Sequence, residues 1–132
     1  MIYSLVALHG FLGAPADFSN LKILLSEKIA SMAPDQLHWS SPDYYNLENL
    51  SPKVSWKEWP RNFSDYLNKL KLKDGKKILL GYSQGGRLAT EFLRSQEAEK
   101  YFDQIVLISS GIGIDEAEKS QRIKQDSEWS EK

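Results

Sequence analysis

One serine stands where a sharp backbone bend and a reactive oxygen would coincide. Ser83 lies within the run LLGYSQGGRLA (residues 79–89), where an apolar stretch ends and a helical pattern begins. A strand that turns at once into a helix needs small residues two places before and after the joining residue. Gly81 and Gly85 occupy those places. The pattern predicts a nucleophile elbow that presents the Ser83 hydroxyl, although an ordinary strand-to-helix turn can carry the same five residues.

Two backbone N–H groups near this serine are candidates for an oxyanion hole. The N–H of Gln84 opens the predicted helix, so it has no acceptor within the helix, and the helix dipole favours negative charge there. A second glycine-rich turn, HGFLG at residues 9–13, also follows an apolar run. The N–H of Phe11 in that turn is the natural second donor. For His9 we expect a structural role, in which the ring fixes the turn by hydrogen bonds.

Short apolar runs without alternation indicate strands that are covered on both faces. Such runs predict strands over residues 2–8, 36–39, 77–80 and 104–109. Between them, apolar residues at helical spacing predict three helices. The three helices are expected after the FLGAPADF loop, from residue 55 or 59 to about 72, and over about 84–94.

The ends and faces of the first two helices are also predicted. Asp17 or Ser19 is expected to cap the first helix, whose apolar face would contain Leu21, Leu24, Leu25, Ile29 and Met32. In the second helix, a capping-box pattern favours a start at Ser55 with a kink, whereas Pro60 favours a start near residue 59. Its apolar stripe would contain Trp56, Trp59, Phe63, Tyr66, Leu67 and Leu70.

Strands that alternate with helices predict an α/β fold, a mostly parallel sheet with helices on both faces. Ligands bind such sheets at the carboxyl ends of the strands. Both glycine-rich turns are predicted at such ends.

Composition narrows the class of protein. The chain has 132 residues, a net charge of −1 and no cysteine, so we expect one domain without disulfides, thiolate metal ligands or an affinity for nucleic acid. No apolar run approaches the roughly 18 residues of a membrane helix, and the N-terminal segment lacks the basic start of a signal peptide. We expect no membrane association and a cytoplasmic protein. The oligomeric state stays open.

These motifs resemble the α/β-hydrolase fold superfamily, with HGFLG, ADF at residues 16–18 and GYSQGGRLA at 81–89. Within it, the chain is similar to the 2-succinyl-6-hydroxy-2,4-cyclohexadiene-1-carboxylate synthases of menaquinone biosynthesis, with Arg122, Asp126 and Trp129 in the matching order. The resemblance implies a partial α/β-hydrolase domain over residues 1–132, with about 112–132 leading toward a missing cap. It also implies a small-molecule carboxylate substrate and no metal or organic cofactor.

Three residues are substrate-binding candidates by this resemblance. Arg87, one helical turn after Ser83, would bind a substrate carboxylate, and the alternative is an exposed pair with Glu91. Arg122 would be a second such arginine, with a solvated helix position as the alternative. Tyr82 is carried over in the same way, and its alternative is a packed aromatic side chain.

The partners that would activate Ser83 are missing from the sequence. In this fold the acid and the histidine follow the serine, but His9 and His38 both precede it. His38 is a remote substitute for the missing histidine, on the condition that the fold places it near the carboxyl end of a strand. Three explanations are open: the chain is a fragment of a longer protein, a truncated product, or one that a second chain completes, and we favour the first. We expect the 132 residues alone to be inactive.

The resemblance implies a serine-dependent lyase-type synthase that eliminates pyruvate, with Ser83 as the activated oxygen. The alternatives are a carboxylesterase or acyl hydrolase that works through an acyl-serine, and an inactive fragment that lacks the acid and the histidine.

Overall fold

The computed structural model describes residues 1–10, 13–32, 34–47, 49–51, 54–55, 57–95 and 97–108. Its strands are β1 (Ile2–Leu8), β2 (Gln36–Ser40), β3 (Lys76–Tyr82) and β4 (Gln104–Ile108). Its helices are α1 (Ser19–Ala30), α2 (Trp59–Leu70) and α3 (Gln84–Arg94), and short 3-10 turns occupy Pro15–Phe18 and Ala98–Lys100. The tail predictions for residues 109–132 lie outside the described residues.

The four strands form one parallel sheet in the order β2-β1-β3-β4. The register pairs Leu8 with Gly81 and Tyr82 with Ile108. The ends of β1, β3 and β4 therefore meet at one edge of the sheet. The predicted α/β class and the parallel sheet are confirmed.

Alternate residues of β1 face two separate cores. Val6 and Leu8 pack in the larger core with α2 and α3, whereas Leu5 and Ala7 face α1. The larger core contains a group of packed aromatic rings: the Phe63 ring lies 4.9 Å from Trp59 and 4.8 Å from Phe92, centroid to centroid. Helices therefore cover both faces, as the sequence predicts.

Helix α2 begins at Trp59, the later of the two predicted starts. Pro60 lies in its first turn, where a missing N–H costs nothing. The N–H of Trp59 donates to the carbonyl of Ser55 at 3.0 Å. Ser55 thus precedes the helix, and Trp56 lies outside the described residues.

The predicted cap of α1 is wrong. Phe18 holds the N-cap position without a side-chain hydrogen bond, and Ser19 is the first helical residue. The Asp17 carboxylate instead accepts from the N–H of Ala14 at 3.0 Å. A 3-10 turn precedes α1 directly, and Asp17 satisfies a donor of that turn.

The predicted apolar face of α1 is only partly buried. Leu21 and Leu25 pack against the smaller core, but Leu24 and Met32 are 63% and 42% exposed. Helix α1 packs mainly against β2, a five-residue strand at the edge of the sheet. A short edge strand covers only a narrow strip of the helix, so the outer apolar residues stay in solvent.

Two leucine truncations test which helix carries the core. Leu67 in α2 is 1% exposed, so Leu67→Ala should lower the free energy of unfolding by about 2–5 kcal/mol through lost burial and a residual cavity. Leu24→Ala on α1 should change it by less than about 0.5 kcal/mol. Urea denaturation of both variants measures this, and equal losses would contradict the packing described.

Candidate active site

Ser83 joins β3 directly to α3 in a strained backbone conformation. Its φ is 54° and its ψ is −116°, a region that non-glycine residues rarely adopt and that costs of order 1–3 kcal/mol. The N–H of Ser83 donates to Ile108 at 3.0 Å, and its carbonyl accepts from Gly86 and Arg87 at 2.9 and 3.2 Å. The neighbouring strand and the first turn of α3 thus hold the bend from both sides.

The flanking glycines are required because two backbone segments approach here. A Cβ on Gly81 would lie 2.6 Å from the Cα of Gly86. A Cβ on Gly85 would lie 2.0 Å from the carbonyl oxygen of Leu8. No side chain fits at either distance, so the glycine spacing allows α3 to begin against the end of β1.

The turn after β1 lies against the elbow. A Cβ built on Gly10 would be 3.3 Å from the Cβ of Ser83 and 3.1 Å from the Tyr82 ring. Gln84 is the first residue of α3, so its N–H has no acceptor within the helix. Phe11, the other predicted donor, lies outside the described residues.

His9 is completely buried between this turn and the loop after β2. Its Nδ1 donates to the carbonyl of Gly10 at 3.0 Å, and its ring stacks on Tyr44 with centroids 4.1 Å apart. Its Nε2 lies 3.8 Å from a carboxylate oxygen of Asp43. These contacts fit the structural role expected for His9, because the ring braces the turn that adjoins Ser83.

Two tyrosines of the loop after β2 reach the elbow, and the sequence interpretation missed them. The hydroxyl of the fully buried Tyr44 donates to the carbonyl of His9 at 2.7 Å and lies 3.2 Å from Oε1 of Gln84. The Tyr45 hydroxyl donates to the same amide oxygen. The only sequence signal was a pair of adjacent aromatic residues in an otherwise polar loop. The tyrosines connect the loop, the turn after β1 and the start of α3.

Burial raises the pKa of the Tyr44 hydroxyl well above the ordinary tyrosine value, with the neighbouring Tyr45 adding to the shift. The hydroxyl therefore keeps its proton in the folded state. That proton is needed for the bond to the His9 carbonyl, which can only accept.

Of the three predicted substrate-binding residues, the structure describes Tyr82 and Arg87. Tyr82 and Arg87 are exposed on either side of Ser83, and Glu91, the alternative partner of Arg87, pairs with Arg94 at 3.2 Å. Arg122 lies outside the described residues.

His38 does not approach the elbow. The strand register pairs His38 with Ser4, and Ser4 with Lys77. Lys77 precedes Ser83 by six residues, so His38 is level with a point roughly 20 Å from Ser83 along the strand. Asp103 lies at the same amino end, where its carboxylate accepts from the N–H of Lys77 at 2.9 Å. The substitute role considered for His38 is wrong, because the strand register places it at the opposite end of the sheet.

Solved structures show the same architecture. An extracellular α/β-hydrolase from a Paenibacillus species, described as sharing structural and functional homology with tobacco salicylic acid binding protein 2, superposes with a TM-score of 0.55 and 21% identity over 80% of this chain and 39% of its own. A histidine-to-alanine variant of PytH superposes with a TM-score of 0.57 and 19% sequence identity. The match covers 83% of this chain and 41% of that one. The chain has a partial α/β-hydrolase fold.

The α/β-hydrolase fold places the serine elbow at the carboxyl edge of the sheet, as found here. No protein-family model and no curated protein matches the chain. The comparisons give no support to the narrower resemblance to the menaquinone-pathway synthases. Within the described ranges, no helix has the length and hydropathy of a membrane span, and no cluster of side chains is arranged to hold a metal ion.

Removing one hydroxyl should test the tyrosine contacts. Tyr44→Phe leaves the buried His9 carbonyl without its donor, so the free energy of unfolding should fall by about 1–3 kcal/mol. Tyr101→Phe removes an exposed bond of 2.9 Å to Asn68 and should cost less than about 1 kcal/mol. Denaturant titration at neutral pH compares them, and equal costs would refute a special role for Tyr44.

The raised pKa of Tyr44 also predicts a loss of stability in alkali. The unfolded chain releases the phenol proton near pH 10 while the folded chain retains it, so stability is complete below pH 10 and falls as the pH rises further. Each such group contributes at most about 1.4 kcal/mol per pH unit. Tyr44→Phe should make the decline between about pH 10 and 11.5 shallower in denaturant titrations, and an unchanged slope would contradict the assignment.

Proposed function

We propose that Ser83 is the reactive residue of a serine-dependent enzyme with the α/β-hydrolase fold. The observation that carries the proposal is the positive φ of Ser83 between two glycines that admit no Cβ. A strained non-glycine residue persists only where its surroundings hold it, and such residues cluster at functional sites. Its position at the carboxyl edge of the sheet supports the same proposal.

The chemistry follows from what surrounds the hydroxyl. The N–H of Gln84 at the start of α3 and the N–H of Phe11 in the adjoining turn are the proposed donors to a developing oxyanion. The Tyr44 and Tyr45 hydroxyls hold the Gln84 side chain, and Tyr44 also holds the His9 carbonyl. The start of α3, which carries the Gln84 donor, would therefore be held before the reaction begins, so little reorganisation would be needed there as charge develops.

A serine hydroxyl also needs an imidazole to take its proton. The chain contains two histidines, and neither suits this role: His9 is braced inside the turn, and His38 lies at the other end of the sheet. The chain spans about two fifths of the length of the structures it resembles. We therefore propose that a histidine and an acid from outside these 132 residues complete the site.

The first candidate reaction is the lyase-type elimination of pyruvate in menaquinone biosynthesis. Arg87, exposed one turn after Ser83, favours it, since a cation in the first turn of a helix opposes the helix dipole and an anionic substrate group would offset that cost. Arg87, Arg122 and Tyr82 would bind substrate carboxylates. The completed serine would act as the base that removes a substrate proton.

The second candidate is a carboxylesterase or other acyl hydrolase that forms an acyl-serine. The Paenibacillus protein that shares the fold is described as an α/β-hydrolase, and this favours hydrolysis. In this reaction the Ser83 oxygen would attack the ester carbonyl, and the oxyanion would be held by Gln84 and Phe11.

Labelling with a fluorophosphonate probe tests the shared part of the proposal. The natural protein, isolated with whatever chain or partner accompanies it, should be labelled at Ser83, and an intact mass shows whether its chain extends beyond Lys132. Ser83→Ala should abolish labelling and lower turnover at least about a thousandfold. Ser19→Ala, an exposed serine on α1, should alter neither. A natural protein that the probe does not label would refute the proposal.

Substitution of two arginines on the same helix separates the candidate reactions. Arg87→Ala should reduce pyruvate release from the synthase substrate by about tenfold or more, because a charge-assisted bond to a carboxylate is lost. It should leave neutral-ester turnover nearly unchanged. Arg94→Ala, at the far end of α3, is the matched control. Ester turnover with an initial burst and no pyruvate release would decide for the hydrolase.

A further inference from the structure

The carboxyl ends of β1 and β3 are the point of the sheet where the chain connections diverge. The two strands are neighbours in the sheet, but β1 is followed by α1 on one face and β3 by α3 on the other. Parallel sheets bind their ligands outside the strand ends at such a point. Ser83 and the turn after β1 meet there. The inference below concerns a substrate held at this point, and it rests on the function proposed for Ser83.

The side chain of Gln84 extends across this point. Gln84 is the first residue of α3, yet its amide oxygen accepts a hydrogen bond from Tyr45 in the loop after β2. The Tyr44 hydroxyl of the same loop lies 3.2 Å from that oxygen. Because β1 separates β2 from β3 in the sheet, the side chain passes over the end of β1 to reach the loop. Helical side chains lean toward the helix N-terminus, which here is the side of Ser83.

The contact with Tyr45 fixes which way the Gln84 amide points. A carboxamide has one acceptor, the oxygen, and an NH2 group with two donors. Since the oxygen accepts from Tyr45, the nitrogen on the same carbon is left to donate elsewhere. Among the residues that the structure describes, nothing accepts from it.

The free amide nitrogen is also within reach of solvent. The Gln84 side chain is half-buried. Its nitrogen does not belong to the buried side-chain atoms that lack a partner in the described part of the chain, which are Oγ of Ser4, Nε2 of His9 and Oγ of Ser64. An oriented and accessible donor therefore lies on the residue that follows Ser83.

We propose that the side-chain amide of Gln84 binds a carbonyl oxygen of the substrate, separate from the carbonyl that reacts at Ser83. The backbone N–H of Gln84 remains the proposed oxyanion donor. The proposed substrate class is therefore a compound with a second carbonyl group, such as an oxo-acyl compound. A donor that its neighbours already orient loses little side-chain freedom when it binds, and this favours such a contact. A neutral amide also meets a neutral carbonyl without the desolvation of an ion.

Protection of Ser83 from a fluorophosphonate probe tests this donor without knowledge of the reaction. The natural protein, with whatever completes its site, is incubated with levulinamide or with pentanamide, in which a methylene replaces the ketone. The rate of labelling at Ser83 is followed by intact mass. We expect levulinamide to protect at an about fivefold lower concentration, the contribution of one hydrogen bond.

Gln84→Glu separates the donor from a purely structural side chain. It keeps an oxygen that can accept from Tyr45, and an acidic residue suits the first turn of a helix. It removes the N–H donors. Stability should therefore be unchanged or raised, whereas the preference for levulinamide should fall to about one. The ratio of the two protecting concentrations within each variant cancels any effect on labelling itself.

Two further variants complete the test. Gln104→Glu, the same change at an exposed position at the start of β4, should leave the preference unchanged. Tyr45→Phe releases the amide oxygen of Gln84 and should reduce the preference at least about twofold, because the donor is no longer oriented.

The outcomes distinguish this inference from the proposed function. Labelling of Ser83 without a preference for levulinamide would overturn the inference and leave the serine enzyme standing. A preference that survives Gln84→Glu, or that Gln104→Glu reduces equally, would overturn it in the same way. A natural protein that is not labelled at Ser83 would refute the proposed function, and the inference that rests on it would fall as well.

Discussion

The close approach of Gly85 to the last residues of β1 is the contact on which the candidate site depends. The glycine backbone lies where any Cβ would meet the carbonyl oxygens of Leu8 and His9. Because helix α3 can begin this close to the strand, the chain bends within one residue and Ser83 takes its strained conformation. The same contact brings the turn after β1 beside the serine. The absence of a Cβ at Gly85 thus allows both the bend at Ser83 and the approach of the turn after β1.

A second set of contacts makes this arrangement rigid. The loop between β2 and α2 carries Tyr44 and Tyr45 to the carboxyl edge, where their hydroxyls meet the Gln84 side chain and, through Tyr44, the carbonyl of His9. Buried hydrogen bonds of this kind are costly to break, since each broken bond leaves an unsolvated polar group. The loop therefore braces the turn after β1 and the first residue of α3.

The two ends of the sheet differ in the contacts of their polar groups. At the carboxyl edge, the Tyr44 and Tyr45 hydroxyls are hydrogen-bonded, the His9 and Tyr44 rings are stacked and the Ser83 backbone is held in a bend. At the amino edge, the buried Ser4 hydroxyl has no hydrogen-bond partner among the described residues. Strand β1 connects the two, because Ser4 lies near its amino end and Leu8 adjoins the elbow, about 13 Å apart along the strand.

The sequence alone determined the features that depend on residues close together in the chain. The strand and helix periods and the bend at Ser83 follow from the sterics of a few neighbouring residues, whereas the sequence left two starts open for α2 and the structure places the start at Trp59. Only the tertiary structure decided which distant segments meet. The exposure of Leu24 depends on the narrow β2, the position of His38 on strand register, and the roles of Tyr44 and Tyr45 on a loop that reaches across the sheet edge. The physical reason is that a local bend is a covalent and steric property, whereas such contacts between segments some 35–40 residues apart depend on the packing of the whole sheet.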